Sequence, residues 1–279
     1  MLELEELEKR WDKCRRSENK DWDTAADSWE RKYRRGNGRD RIDSTVRFLK
    51  NRGVLNGDVH VLDVGCGPGR FAAEFAQCCK HVTGIDISEK MCRYGESYCG
   101  ELGLTNVSFV TEDFSQADIA ALGMRKKYDL AFSSITPAIQ GIKGLDNLIA
   151  ASRQWCFNAS FIREDNRLLD RIRTEVFGIE PRCGRGLQAE WFFMLLNILW
   201  LRGYDPEVCY YDQPRELRQR IEPDIVRVYT EHSIGSDRVC PEEERKVMRF
   251  LEENAQTDGY ILEESRYRTG WLLWNVNEA

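Results

Sequence analysis

The chain has 279 residues, 42% hydrophobic and 32% charged, enough apolar material for one large globular domain or a domain with a sizeable insertion. Its formal net charge of −6 excludes the overall positive field that draws in nucleic acid or an anionic membrane, leaving only local basic patches. Met1 to Arg10 lacks the basic start and apolar stretch of a secretory signal, and the longest apolar run, Trp191 to Leu201, has eleven residues where a membrane span needs roughly 20. The expectation is a cytoplasmic protein whose ten cysteines are reduced thiols, since a long, unsecreted chain able to form a core needs no disulfides, and they form no metal-type Cys-x-x-Cys pair. The three histidines, His60, His81 and His232, are scattered, so no metal site is expected.

Residues 1 to 35 read as amphipathic helix, with Leu4, Leu7 and Trp11, then Trp22, Trp29 and Tyr33 near helical spacing, ended by Gly36-Asn37-Gly38. A second helix from about Ser44 stops at Gly53, and Asn56-Gly57-Asp58 turns the chain into a buried strand over Val59 to Val64. Helices near Arg70–Cys79 and Ser88–Leu102 then alternate with strands at His81–Ile85 and Val107–Thr111. A fourth strand follows at Tyr128–Ser133, a helix around Leu145–Arg153 and a fifth strand at Trp155–Ile162. Such alternation predicts a doubly wound α/β fold, a mostly parallel sheet with helices on both faces.

Between the first strand and its helix stands Asp63-Val64-Gly65-Cys66-Gly67-Pro68-Gly69. Glycines there permit tight turning and close approach, and leave the N–H groups of a helix start facing a ligand. Asp86 ends the second strand, where a carboxylate can accept hydrogen bonds from ribose hydroxyls. The pair describes a site for an adenosine-type cofactor. A dinucleotide fingerprint would carry G-x-G-x-x-G, whereas Arg70 occupies the place of its third glycine, which disfavours a pyrophosphate.

The segment resembles the first motif of the class I S-adenosylmethionine-dependent methyltransferases, in which an acidic residue, here Asp63, precedes the glycine turn. Ile85-Asp86-Ile87-Ser88 resembles their second motif, Glu112-Asp113-Phe114 the adenine-contacting motif, and Ser133-Ser134-Ile135-Thr136-Pro137 the segment after strand four that faces the methyl group. The likeness covers roughly residues 40 to 160. It implies a Rossmann-like methyltransferase fold with a seven-stranded sheet. It also implies S-adenosyl-L-methionine as cofactor, S-adenosyl-L-homocysteine as product, and a cofactor site of Asp63, Gly65, Cys66, Gly67, Gly69, Asp86, Ile87, Asp113, Phe114 and Ser133. The Asn-Pro-Pro-Tyr of enzymes that methylate adenine or glutamine amides is not matched at Ser133–Pro137.

The substrate side is less defined. Ser134 and Thr136 either bond an acceptor or satisfy local backbone groups. Trp22 and Trp29 either shield a sulfonium by cation–π contact or simply pack. His232, Glu190 and Tyr210 are the candidates if a base is needed, without any spacing signal. Arg163, Arg167 and Arg171 recur every four residues, either as an anion-gathering patch or as a solvated helix face of mixed charge.

Glu190–Arg202 reads as a helix before a sixth strand near Tyr204–Tyr211, Pro214–Tyr229 and Pro241–Asn254 read as helices, and Arg268–Val276 resembles the closing antiparallel strand. The organisation expected is an N-terminal helical cap over 1–40, a cofactor-binding core over 41–212, a helical insertion over 213–267 that caps substrate, extends the core or forms a dimer surface, and a final strand over 268–279. The function implied is methyl transfer to a small molecule. A protein or tRNA methyltransferase and a non-catalytic binder of the cofactor are the alternatives.

Overall fold

A computed structural model describes residues 3–13, 22–24, 26, 27, 30, 38–181 and 187–278. Its elements in chain order are α1 (Leu4–Lys13), α2 (Arg39–Asn51), β1 (His60–Val64), α3 (Arg70–Ala76), β2 (His81–Asp86), α4 (Glu89–Glu101), β3 (Val107–Thr111), β4 (Tyr128–Ser134), α5 (Ile142–Ala151), β5 (Ser152–Asn166) and α6 (Arg167–Arg171). A π-helical turn (Ile172–Val176) leads to α7 (Leu187–Leu201), β6 (Glu207–Arg220), α8 (Pro223–Ile234), α9 (Pro241–Glu253) and β7 (Tyr260–Asn275). The sheet has seven strands in the order β3-β2-β1-β4-β5-β7-β6. β1 pairs in parallel with β2 and β4, β2 with β3, and β4 with β5. β7 runs against β5, because Phe157 meets Trp271 edge-on while the Val276 N–H donates to the Gln154 carbonyl. The doubly wound, mostly parallel sheet read from the sequence is therefore present.

Burial explains why the central strands are nearly continuous apolar runs. Val61, Leu62, Val64, Val82, Ile85, Leu130, Ala131 and Phe132 are all fully buried, as strands covered on both faces must be. Asp63 is the polar exception in β1. Phe109 of β3 fills a slot built from three glycines: a Cβ placed on Gly69, Gly84 or Gly95 would come within 2.8, 2.8 or 2.5 Å of its ring. Those glycines let the glycine turn, β2 and α4 close around one aromatic side chain.

The chain divides into two compact units. The first comprises residues 1–160, 191–209 and 270–279 and holds β1 to β4 and their helices. The second comprises 161–190 and 210–269. Its core joins Leu168, Leu169 and Ile172 to Val226 and Tyr229 of α8 and to Val247, Phe250 and Leu251 of α9. It differs from a purely helical insertion. The strand read at Tyr204–Tyr211 continues to Arg220, and the closing strand begins at Tyr260 instead of Arg268. Pro214 suggested a helix start, but β6 lies at the sheet edge, where a missing N–H costs no ladder bond. From Val208 to Arg220 along β6 exposed and half-buried residues alternate, a period of two. The helix begins later, with Pro223 in its first turn. Among the described residues, no helix is long and apolar enough to cross a membrane.

The Phe109 slot yields a prediction. Gly95→Ala, which in an open helix would gain about 1 kcal/mol of helix propensity, instead lowers the thermal midpoint, because the new methyl meets the Phe109 ring. The double change Gly95→Ala with Phe109→Leu recovers part of the loss in a calorimetric scan.

Candidate functional site

The site begins where β1 ends. Gly65, Gly67 and Gly69 have φ of 66°, 52° and 72°, the left-handed region that side chains resist. The N–H groups of Gly65 and Cys66 donate to the Ile85 carbonyl at 2.8 and 3.1 Å, pinning the turn to the end of β2. One carboxylate completes the tie. Asp86 Oδ2 accepts from the Gly67 N–H at 2.9 Å, and Oδ1 accepts from the Ser88 N–H at 3.0 Å. Burial raises the Asp86 pKa against the pull of these backbone donors, with the nearby Asp23 charge adding to the rise. Ser88 is the side chain that caps α4, accepting from the Met91 N–H at 3.1 Å, so Asp86 spans turn and helix start instead of serving as the cap.

Asp63 lies under the same turn, opposite Gly84 and Phe132 in the sheet register. It is 2% exposed and its Oδ2 has no hydrogen-bond partner. Desolvation, reinforced by the Asp86 charge, pushes its pKa up to about 7, opposed by the Ala72 N–H and by Arg41. Arg41 of α2 is a residue that motif reading missed. It is buried, its Nη1 donates to Ser134 Oγ at 2.6 Å, and its guanidinium stands 5.1 Å from the Phe71 ring. Its signal was a charge on the buried face of α2, in the periodic row with Thr45 and Phe48.

The end of β4 faces the turn from the other side. A Cβ on Gly65 would lie 2.0 Å from Thr136 Oγ1, so only glycine admits that hydroxyl, which itself accepts from the Ala138 N–H at 3.2 Å. Ile135 between them holds φ at 54°, a strained setting for a β-branched residue. Ser133 points elsewhere. Its hydroxyl is fully buried, donating to the Phe157 carbonyl at 3.2 Å and accepting from Asn158 Nδ2 at 3.0 Å, so its side chain serves the sheet.

The other sequence candidates separate. Phe114 is 2% exposed, its ring packed in the core. Asp113 Oδ1 accepts from the Ser115 N–H and hydroxyl at 3.0 and 2.7 Å, holding a local turn. Ile87, beside Asp86, is 49% exposed and offers the apolar surface that Phe114 does not. Cys66 is buried, its thiol packed where a Cβ on Gly84 would be, and burial drives its pKa well up. Trp22 is half-buried, while Trp29 lies outside the described residues. His232, Glu190 and Tyr210 are exposed and belong to the second unit. So do Arg163, Arg167 and Arg171, which pair with Asp165, Glu264 and Glu175 as a mixed-charge surface.

Comparisons with known proteins follow the same geometry. A family model described as a methyltransferase domain matches residues 61–155, which run from β1 through the start of β5. A structure assigned as a methyltransferase from Bacillus halodurans C-125 superposes with a TM-score of 0.52 at 14% identity, covering 84% of this chain and 99% of that one. A sterol 24-C-methyltransferase of Eremothecium gossypii is 34% identical over 102 residues, 35% of this chain and 26% of that protein. Residues 61–155 thus resemble a methyltransferase domain, and the fold around them is the Rossmann-like methyltransferase fold. A 23S rRNA (uracil-C5)-methyltransferase of Marinomonas posidonica is 39% identical over 59 residues, 21% of this chain and 14% of that protein. The chain thus spans about a quarter or less of the curated relatives it matches.

The residues around the turn fit S-adenosylmethionine, the cofactor of the proteins this segment resembles. S-adenosylmethionine carries a sulfonium and an ammonium, and the turn is flanked by two buried carboxylates, Asp63 with an orphaned oxygen and Asp86. A Cβ at Gly67 would meet nothing within 4 Å, so the turn opens onto free space at that residue.

Two outcomes are expected. Gly67→Ala keeps the fold, losing about 1–2 kcal/mol to its left-handed backbone, yet loses most S-adenosylhomocysteine affinity, whereas Gly65→Ala lowers the melting temperature sharply because it drives Thr136 away. Asp63 gives a pH dependence. Its folded pKa, about 7, exceeds the ordinary unfolded value of about 3.9, so its ionisation opposes folding and stability is lost as pH rises through 7. The cofactor-free protein therefore melts lower at pH 8 than at pH 5, and Asp63→Asn flattens that slope in a pH series of thermal melts.

Proposed function

We propose that the protein transfers the methyl group of S-adenosylmethionine to a small-molecule acceptor. The observation that carries this reading is the Asp86 carboxylate, which locks the glycine turn to β2 while each of its oxygens keeps a lone pair for a ribose hydroxyl. When bound, the cofactor supplies a methyl carbon already made electrophilic by its sulfonium. The chain's share is placement and exclusion of water.

In this reading Gly65, Cys66, Gly67 and Gly69 give the methionine portion a close backbone surface, with Asp63 Oδ2 available to an ammonium. Ile87 lies along the adenine, and Asp113 reaches it with the oxygen not committed to Ser115. Ser134 and Thr136 stand on the acceptor side, their hydroxyls held by Arg41 and by the Ala138 N–H. Trp22, half-buried and part of the same unit, is the described N-terminal aromatic whose ring suits a positive sulfur. His60 and His81 occupy the first residues of β1 and β2, the sheet end away from the turn, and so are not placed to act as bases.

A net charge of −6 supports a small acceptor over a polyanion, and the sterol methyltransferase relative is in keeping with it. The alignment with the rRNA enzyme favours the second reading, a macromolecular acceptor. Calorimetry with S-adenosylhomocysteine, with NAD as control, tests the cofactor: micromolar binding of the former alone is expected, and preference for NAD contradicts it. Asp86→Ala weakens that binding by about 1–3 kcal/mol. Incubation with methyl-labelled cofactor and separated cell fractions tests the acceptor. Label in the low-mass fraction supports the proposal, while label in RNA or protein, or binding without turnover, overturns it.

A further inference from the structure

The acidic residues Asp23, Asp27 and Glu30 recur at i, i+4 and i+7, and residues 22–24, 26, 27 and 30 are helical, so their side chains share one face. Each meets a different group on the two helices that open beside the glycine turn. Asp23 Oδ1 accepts from the Ser88 hydroxyl and, at 3.2 Å, from the Lys90 N–H. Asp27 pairs with Lys90 Nζ at 2.8 Å and accepts from the Tyr94 hydroxyl. Glu30 stands 3.5 Å from Arg70 Nη2, with both side chains largely withdrawn from water, and the Arg70 guanidinium lies 3.6 Å from the centre of the Tyr98 ring. Arg70 is the first residue of α3, and Ser88 is the cap of α4. The three carboxylates thus grip both helix starts that frame the turn.

One of these contacts reaches the cofactor site directly. Ser88 donates its N–H to Asp86 Oδ1 and its hydroxyl to Asp23, so a continuous chain of hydrogen bonds runs from Asp23 through Ser88 to Asp86 and on to the Gly67 N–H. We infer that the carboxylates of Asp23, Asp27 and Glu30 form a strap on the adenosine end of the site, and that Asp23 is a positioning residue for the Asp86 carboxylate. The inference rests on the cofactor reading above. A strap held in this way couples its own docking to cofactor binding, each strengthening the other by the same factor. It also gives Arg70, where a dinucleotide fingerprint would have glycine, a role of its own as the anchor for Glu30.

The test uses the full chain and four proteins: wild type, Asp23→Ala, Asp23→Asn and Arg93→Ala, the last removing an exposed ion pair with Glu89 on the same helix. S-adenosylhomocysteine affinity is measured by calorimetry, melting temperature by scanning, and cleavage N-terminal to Gly38 by limited proteolysis with and without the ligand. Asp23→Ala is expected to bind roughly tenfold more weakly, with a nearly unchanged melting temperature, and to lose the protection from cleavage that the ligand gives wild type. Asp23→Asn, whose amide oxygen still accepts, recovers most of the affinity, and Arg93→Ala binds as wild type. Equal binding by Asp23→Ala and wild type overturns the strap while leaving the cofactor site standing. No binding by wild type overturns both.

Discussion

The site depends on a carboxylate that is held from two sides before any ligand arrives. Asp86 ends a parallel strand, and its two oxygens accept from the Gly67 and Ser88 N–H groups, so one side chain fixes the glycine turn against the start of α4. Each neighbouring feature follows from that tie. The left-handed glycines let the turn bend far enough for the Gly67 N–H to reach the carboxylate, and the absence of a side chain on Gly65 lets Thr136 close from the β4 side. The Phe109 ring wedged among Gly69, Gly84 and Gly95 keeps the turn, β2 and α4 in one packed body. A preorganised acceptor of this kind needs no rearrangement on binding, which is where much of a ligand's affinity is otherwise lost.

The same region carries the chain's unfavourable energetics. Asp63 is buried with one oxygen unsatisfied, and Ile135 holds a backbone angle that a β-branched residue resists. Each costs stability in the free protein, and each is adjacent to the turn. Folded proteins retain such costs where a ligand offsets them. A cationic cofactor would suit a turn flanked by two carboxylates, one with an unpartnered oxygen, whereas a pyrophosphate would add negative charge beside them.

Much of this was legible in the sequence, for a physical reason. Strands buried on both faces must be apolar runs, and a glycine-rich turn followed by an acidic strand end leaves a fixed spacing, so β1 to β4, Gly65, Gly67 and Asp86 could be read directly. What was not legible depends on side-chain direction or on distant partners. Ser133 and Phe114 occupy motif positions, yet their side chains turn into the sheet and the core. Arg41 lies outside any motif, because its partners Ser134 and Phe71 come from other elements. Pro214 suggested a helix because local reading cannot tell that β6 lies at a sheet edge, where proline is tolerated.

The central claim is that Asp86 holds the cofactor's ribose on a preformed turn. A crystal structure of the protein with S-adenosylhomocysteine tests it most directly. The account predicts both ribose hydroxyls within hydrogen-bond distance of Asp86, the adenine along Ile87, and the bonds from Gly67 and Ser88 to the carboxylate unbroken. A ligand bound elsewhere, or a turn that must release Asp86 to admit it, would contradict the account.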